Sequence, residues 1–138
     1  MAGDEGRTLV APAEPAALER VHELLEALWQ DAGDVSLADR LHFETAVTEI
    51  AGNIVLHAPD GRPLEFTLDV RAHPDRLEGR FRDAGRRADV DLNAARLPDD
   101  LAESGRGLAL ALAAVDVLEY RRDGSENCWR VVRTRTPR

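Results

Sequence analysis

Apolar residues along the chain change their spacing several times, and each change marks an element. RTLVA (7–11) predicts a short strand, stopped by the prolines at 12 and 15. Leu18, Val21, Leu25 and Leu28 then recur at helical spacing until Gly33. A second helix opens at SLAD (36–39), where Ser36 is placed to accept from first-turn amides. Leu41, Val47, Ile50 and Ile54 continue an apolar stripe along it until Pro59 and the turn PDG. Alternation returns in PLEFTLDV (63–70) and RLEGRFRD (76–83), two strands joined by AHPD into a hairpin with one buried face. Residues 84–103 hold no sustained period, and a loop of that length inside a compact domain is usually functional. GRGLALALAAVDVL (105–118) reads as a third helix opening at a glycine pair, and EYRRDGSENCWRVVRTR (119–135) as two strands around Asp123–Gly124. The order β-α-α-β-β-loop-α-β-β predicts an α+β fold, a two-layer α/β sandwich.

Composition narrows the chemistry. At 138 residues, 43% of them apolar, the chain is sized for one domain spanning 1–138. No apolar run is long enough to cross a bilayer and the first residues lack a secretory pattern, so a soluble, cytoplasmic protein without membrane contact is expected. A net charge of −8 disfavours direct binding to a nucleic-acid backbone. Every basic residue is Arg; without Lys there is no Walker A loop, no kinase strand lysine and no Schiff base. The single cysteine, Cys128, excludes an internal disulfide and is expected to be a buried thiol.

Three stretches carry candidate chemistry. In ETAVTEIAGNIVLHAPDG (44–61), Glu49, Asn53 and His57 recur every four residues and form one polar ridge on the second helix. Such a Glu is most often solvated, and a His at a helix C-terminus is accounted for by the dipole. Asn is a poor helix former, so its place beside a carboxylate points to a ligand, and an amide oxygen suits Mg²⁺. In FRDAG (81–85) a strand ends at Asp83, which could accept from an exocyclic amine while Gly85 leaves room for a flat ring; alone, Asp-x-Gly is a common turn. In SGRGLAL (104–110) two glycines flank an arginine before a helix, a ready anion site. Leu110 and the absence of a preceding strand exclude the Rossmann pattern, and no His-Glu-x-x-His pair supports a zinc hydrolase.

Together these stretches resemble the boxes of the GHKL ATPases (gyrase, histidine kinase and MutL type), most closely the bacterial anti-sigma factor serine/threonine kinases. EIAGNIVLHA resembles the N box, RDAG the first glycine box and GRGLAL the second. The resemblance implies a Bergerat-type sandwich, mostly antiparallel with helices on one face, holding ATP under a lid at 84–104. It implies Glu49 as catalytic base, Asn53 as the Mg²⁺ ligand and Asp83 as the adenine contact. Gly85 would lie at the nucleotide edge, and Gly105, Gly107 and Leu108 at the phosphates. Arg106 would steer the terminal phosphate, and His57 and Arg87 would complete the nucleotide site.

Arg87 departs from the family, which often has a second glycine there; His57 stands where some relatives have lysine. The function implied is Mg-ATP-dependent phosphorylation of an anti-anti-sigma (STAS-type) protein, with a sigma factor as alternative partner and a homodimer as the assembly. The competing expectation is a non-catalytic module of the same fold that sequesters a regulator with weak or no use of ATP.

Overall fold

A computed structural model describes residues 4–88 and 103–136, without the side chains of 103–106. The described elements run β1 (Glu5–Pro12), α1 (Ala17–Asp31), α2 (Leu37–His57), β2 (Glu65–Ala72), β3 (Arg76–Asp83), α3 (Glu103–Ala114), β4 (Val117–Asp123) and β5 (Glu126–Thr134). The strands form one sheet in the order β1-β2-β3-β5-β4, and every neighbouring pair is antiparallel. The expected α+β sandwich is therefore observed. Among the described residues no helix is long and apolar enough to cross a membrane.

The period-two pattern decides which face of the sheet is inward. Phe66, Leu68 and Val70 of β2, Leu77 and Phe81 of β3, and Trp129 and Val131 of β5 are all buried. Against them pack the apolar faces of α1, through Val21, Leu25 and Leu28, and of α2, through Phe43, Val47, Ile50 and Ile54. Gly79 lets α2 come close to the sheet: a Cβ there would already touch the Phe43 ring at 3.4 Å and Val47 at 3.5 Å.

Four expectations need correction. Leu41 is 54% exposed, and Phe43 takes the stripe position instead. The reason is rotational: Phe43 lies four residues before Val47 and shares its face, whereas Leu41 lies six before and turns away. Among the described residues the third helix runs from Glu103, so the glycine pair lies inside it rather than at its opening, and it ends at Ala114, leaving Val117 and Leu118 to β4. Strand β2 begins at Glu65, because Leu64 closes the preceding loop by accepting from the Ala13 amide at 2.7 Å. Cys128 is partly exposed, since its register position on β5 points away from the helices.

The N-terminal end of α2 is a closed polar joint. Ser36 caps the helix, its Oγ accepting from the Asp39 amide at 3.1 Å. The buried Asp39 carboxylate accepts from Arg133 Nε at 3.1 Å, from the Thr136 amide at 2.7 Å and from the Thr136 hydroxyl at 3.0 Å. Burial pushes this carboxyl up, but the donors of Thr136, Ser36 and Arg133 outweigh it and hold it below its ordinary value. Arg133 also donates to the Ala114 carbonyl at 2.9 Å, capping the end of α3.

Candidate functional site

The other end of α2 is built differently. After the last helical residue, the Ala58 carbonyl accepts from the Arg86 amide at 2.9 Å, which brings the exit of β3 onto the helix end. Gly85 makes that crossing possible: a Cβ at this position would lie 2.4 Å from the Ala58 oxygen and 2.7 Å from Leu64. No larger residue fits without moving backbone. One turn and a half back along α2, about 7.5 Å by helical rise, stands Asn53.

Three polar residues of the first two boxes stand out by their surroundings. Asn53 Nδ2 is buried and has no hydrogen-bond partner. Asp83 is 3% exposed; its Oδ1 accepts from the Gly85 amide and from Asn127 Nδ2, both at 2.8 Å, while its Oδ2 is buried and unpartnered. Buried polar atoms are almost always paired; among the described residues three are not, on Asn53, His73 and Asp83, and the two that belong to the boxes point to a missing polar ligand. Glu49 reaches α3, where a Cβ on Gly107 would fall 1.8 Å from its Oε1. Burial pushes the Glu49 carboxyl above its ordinary value.

The glycine pair thus divides its labour. Gly105 and Arg106 lie in the first described turn of α3, the end of a helix whose amides ordinarily lack internal partners. Gly107 lies just beyond, and its lack of a side chain leaves room for the Glu49 carboxylate. Leu108 is buried in the core, so any ligand contact from it falls to its backbone. His57 and Arg87 are both exposed at the margin. The Arg106 side chain and residues 89–102 of the expected lid lie outside the described residues. Among the described residues no cluster of three or more His, Cys, Asp or Glu could hold a metal without help.

Composition and motif reading missed Asn127, Tyr120 and Arg122. Asn127 is 1% exposed and is paired in register with Asp83. Besides holding Asp83, its Nδ2 donates to the Arg86 carbonyl at 2.7 Å, and its Oδ1 accepts from the Tyr120 hydroxyl and from Arg122 Nη1. The Tyr120 ring packs on Trp129 with centroids 4.8 Å apart. A signal was present: Asn127 shares the inward register of Trp129 and Val131, where a strand ordinarily places an apolar residue.

The sequence model of the histidine kinase-like ATPase domain matches residues 11–133. The chain belongs to that family. Comparison with curated proteins gives no significant sequence match. Among solved structures, the histidine kinase-like ATPase domain described here is similar to the crystal structure of the RsbU and RsbW domains of Rv1364c from Mycobacterium tuberculosis. The TM-score is 0.67 at 15% identity over 96% of this chain, which spans only 33% of that one. It is also similar to the Acinetobacter baumannii histidine kinase AdeS, with a TM-score of 0.49 and 17% identity over 93% of this chain and 68% of that one.

Proposed function

We propose that this ATPase-family domain is a Mg-ATP-dependent serine/threonine kinase of the anti-sigma type, acting on a STAS-type anti-anti-sigma protein. The observation that carries the nucleotide part is the pair of buried, unpartnered atoms, Asn53 Nδ2 and Asp83 Oδ2, beside a glycine crossing that admits no side chain. Support for the anti-sigma type comes from the three sequence boxes in their order.

The residues fit the nucleotide. Asp83 Oδ2 offers an acceptor to the exocyclic amine of adenine, and Gly85 keeps the neighbouring wall flat. The amides of the first described turn of α3 would suit phosphate oxygens. Asn53 would hold Mg²⁺ through its amide oxygen; the buried orphan is the amide nitrogen, and a half-turn of the amide exchanges the two. Mg-ATP supplies the phosphoryl group and neutralises its own charge. Glu49 takes the proton from the acceptor serine hydroxyl, and its upward shift brings it nearer to working pH, as a general base requires. Arg106, His57 and Arg87 are assigned to the phosphate side. A homodimer and a sigma factor as alternative partner belong to the same reading.

Incubation of the chain with labelled ATP, Mg²⁺ and a STAS-type protein tests the kinase reading: label is expected on a serine or threonine of the partner and absent with Glu49→Gln. A thermal-shift series tests the nucleotide alone, with a gain of about 2.7 kcal/mol at a hundredfold excess over the dissociation constant. Binding without transfer would replace the kinase by a sequestering module of the same fold.

A further inference from the structure

The Asn127 side chain has four hydrogen-bonding valences, two donors and two acceptor lone pairs, and all are filled. Its amide hydrogens go to Asp83 Oδ1 at 2.8 Å and to the Arg86 carbonyl at 2.7 Å. Its oxygen takes the Tyr120 hydroxyl and Arg122 Nη1, the latter at 3.1 Å. Flipping the amide would set its oxygen against two acceptors, so the orientation is fixed. Asn127 therefore has nothing left with which to touch a ligand.

What it does is aim its neighbour. Two donors, the Gly85 amide and Asn127, occupy Asp83 Oδ1, and the carboxylate plane is held so that Oδ2 alone is left over, buried and unpartnered. That atom is an acceptor, which matches the 6-amino group of adenine and opposes the 6-oxo group of hypoxanthine or guanine. The same side chains also hold the backbone that follows. Arg86 is held by Asn127, Ala88 donates its amide to the Tyr120 hydroxyl at 3.0 Å, and Gly85 accepts from Arg122 Nη1 at 2.7 Å. Residues 85, 86 and 88 thus hang from one buried amide and its two neighbours on β4.

We propose that Asn127, supported by Tyr120 and Arg122, is the positioning residue that makes the site selective for a 6-amino purine and couples base recognition to the backbone of 85–88. The inference rests on the nucleotide reading above. Leaving Asp83 short of one donor lets the carboxylate rotate, so selectivity falls more than the fold does.

The test is titration calorimetry of ATP and inosine triphosphate, which differ in the 6-substituent, with hydrogen exchange read at the amides of Gly85 and Ala88. The wild-type chain is expected to prefer ATP at least tenfold, roughly one charge-assisted hydrogen bond. In Asn127→Ala that ratio is expected to drop about tenfold, chiefly through weaker ATP binding, and both amides to exchange faster. Tyr120→Phe keeps the ring on Trp129 and is expected to lower the ratio about two- to threefold while freeing the Ala88 amide. It carries the test if Asn127→Ala does not fold. A wild-type ratio in the folded variant overturns the inference and leaves the nucleotide reading standing. A wild-type chain that binds neither nucleotide overturns that reading, and this inference with it.

Discussion

The two ends of α2 use similar residues to opposite effect. At the start of the helix Asp39 is buried and both its carboxylate oxygens are partnered, by Arg133 and Thr136. Toward its finish, the buried Asp83 and the half-buried Asn53 each carry a buried atom with no partner, and Glu49 rests against a bare glycine. A surface groove of about 530 Å³ does lie beside the first end, lined by Ser36, Asp75 and Arg135 among others. Arg135 there is tied to Asp34 at 3.1 Å and to the His73 carbonyl at 2.7 Å. Concavity therefore does not separate the two ends, and a lone orphan does not either, since His73 Nε2 near the groove is also buried without a hydrogen bond, 3.6 Å from Glu78 Oε1; orphans on two box residues, with bare glycines beside them, do. A saturated cluster fixes the fold, whereas an unsaturated one is kept at a cost in stability because something else completes it.

The contrast can be broken by substitution. The largest effect is expected at the saturated end: Asp39→Ala leaves Arg133 without its buried partner and should destabilise by about 3–5 kcal/mol in urea denaturation. Nucleotide affinity of the folded fraction should be unchanged. Because the Asp39 carboxyl is depressed when folded, its contribution is present above the unfolded value and is lost as pH falls through the folded one. Acid unfolding of the wild type, followed by circular dichroism, should show this loss, and the variant should not.

Next comes Gly107→Ala, where a methyl group collides with Glu49; about 2 kcal/mol of destabilisation is expected. The double variant with Glu49→Ala should recover most of it, a non-additivity that a thermal double-mutant cycle measures. Additive losses would mean that the two groups do not meet.

At the unsaturated end, Asn53→Ala should weaken Mg²⁺-dependent ATP binding at least tenfold, about 1.4 kcal/mol, with fold stability little changed, because the buried amide nitrogen has no hydrogen bond to lose. The smallest effect belongs to Glu49→Gln. The Glu49 carboxyl is raised in the folded state, so its contribution is fullest at acid pH and declines as pH rises through the folded value. Neutralising it should raise the melting temperature of the free protein by about a degree or two at pH 7, and the gain should vanish at low pH.

Local rules carried the fold reading far. The helical recurrence of Val21, Leu25 and Leu28, the Ser36 cap and the alternation through Phe66, Leu68 and Val70 are set by periodicity and capping chemistry within one element. What escaped depends on pairs distant in sequence. Gly105 and Gly107 look like helix breakers until Glu49, nearly sixty positions earlier, supplies the reason for one of them. Asn127 looks like a hairpin flank until Asp83 is placed opposite it, 44 residues away in sequence. The polar ridge of Glu49 and Asn53 was legible because its members share a helix face. His57, on the same ridge, is simply exposed, as a residue at a helix terminus often is.

The stacking of Tyr120 on Trp129 has an optical consequence. The phenol whose hydroxyl receives the Ala88 amide is 4.8 Å, ring to ring, from a buried indole, so a displacement of residues 85–88 alters the surroundings of that fluorophore. The other indole, Trp29, is wedged edge-on against Phe43 between α1 and α2 and supplies a steady background. The molecule thus carries its own emission gauge, with one chromophore listening at the loop and the other deaf to it.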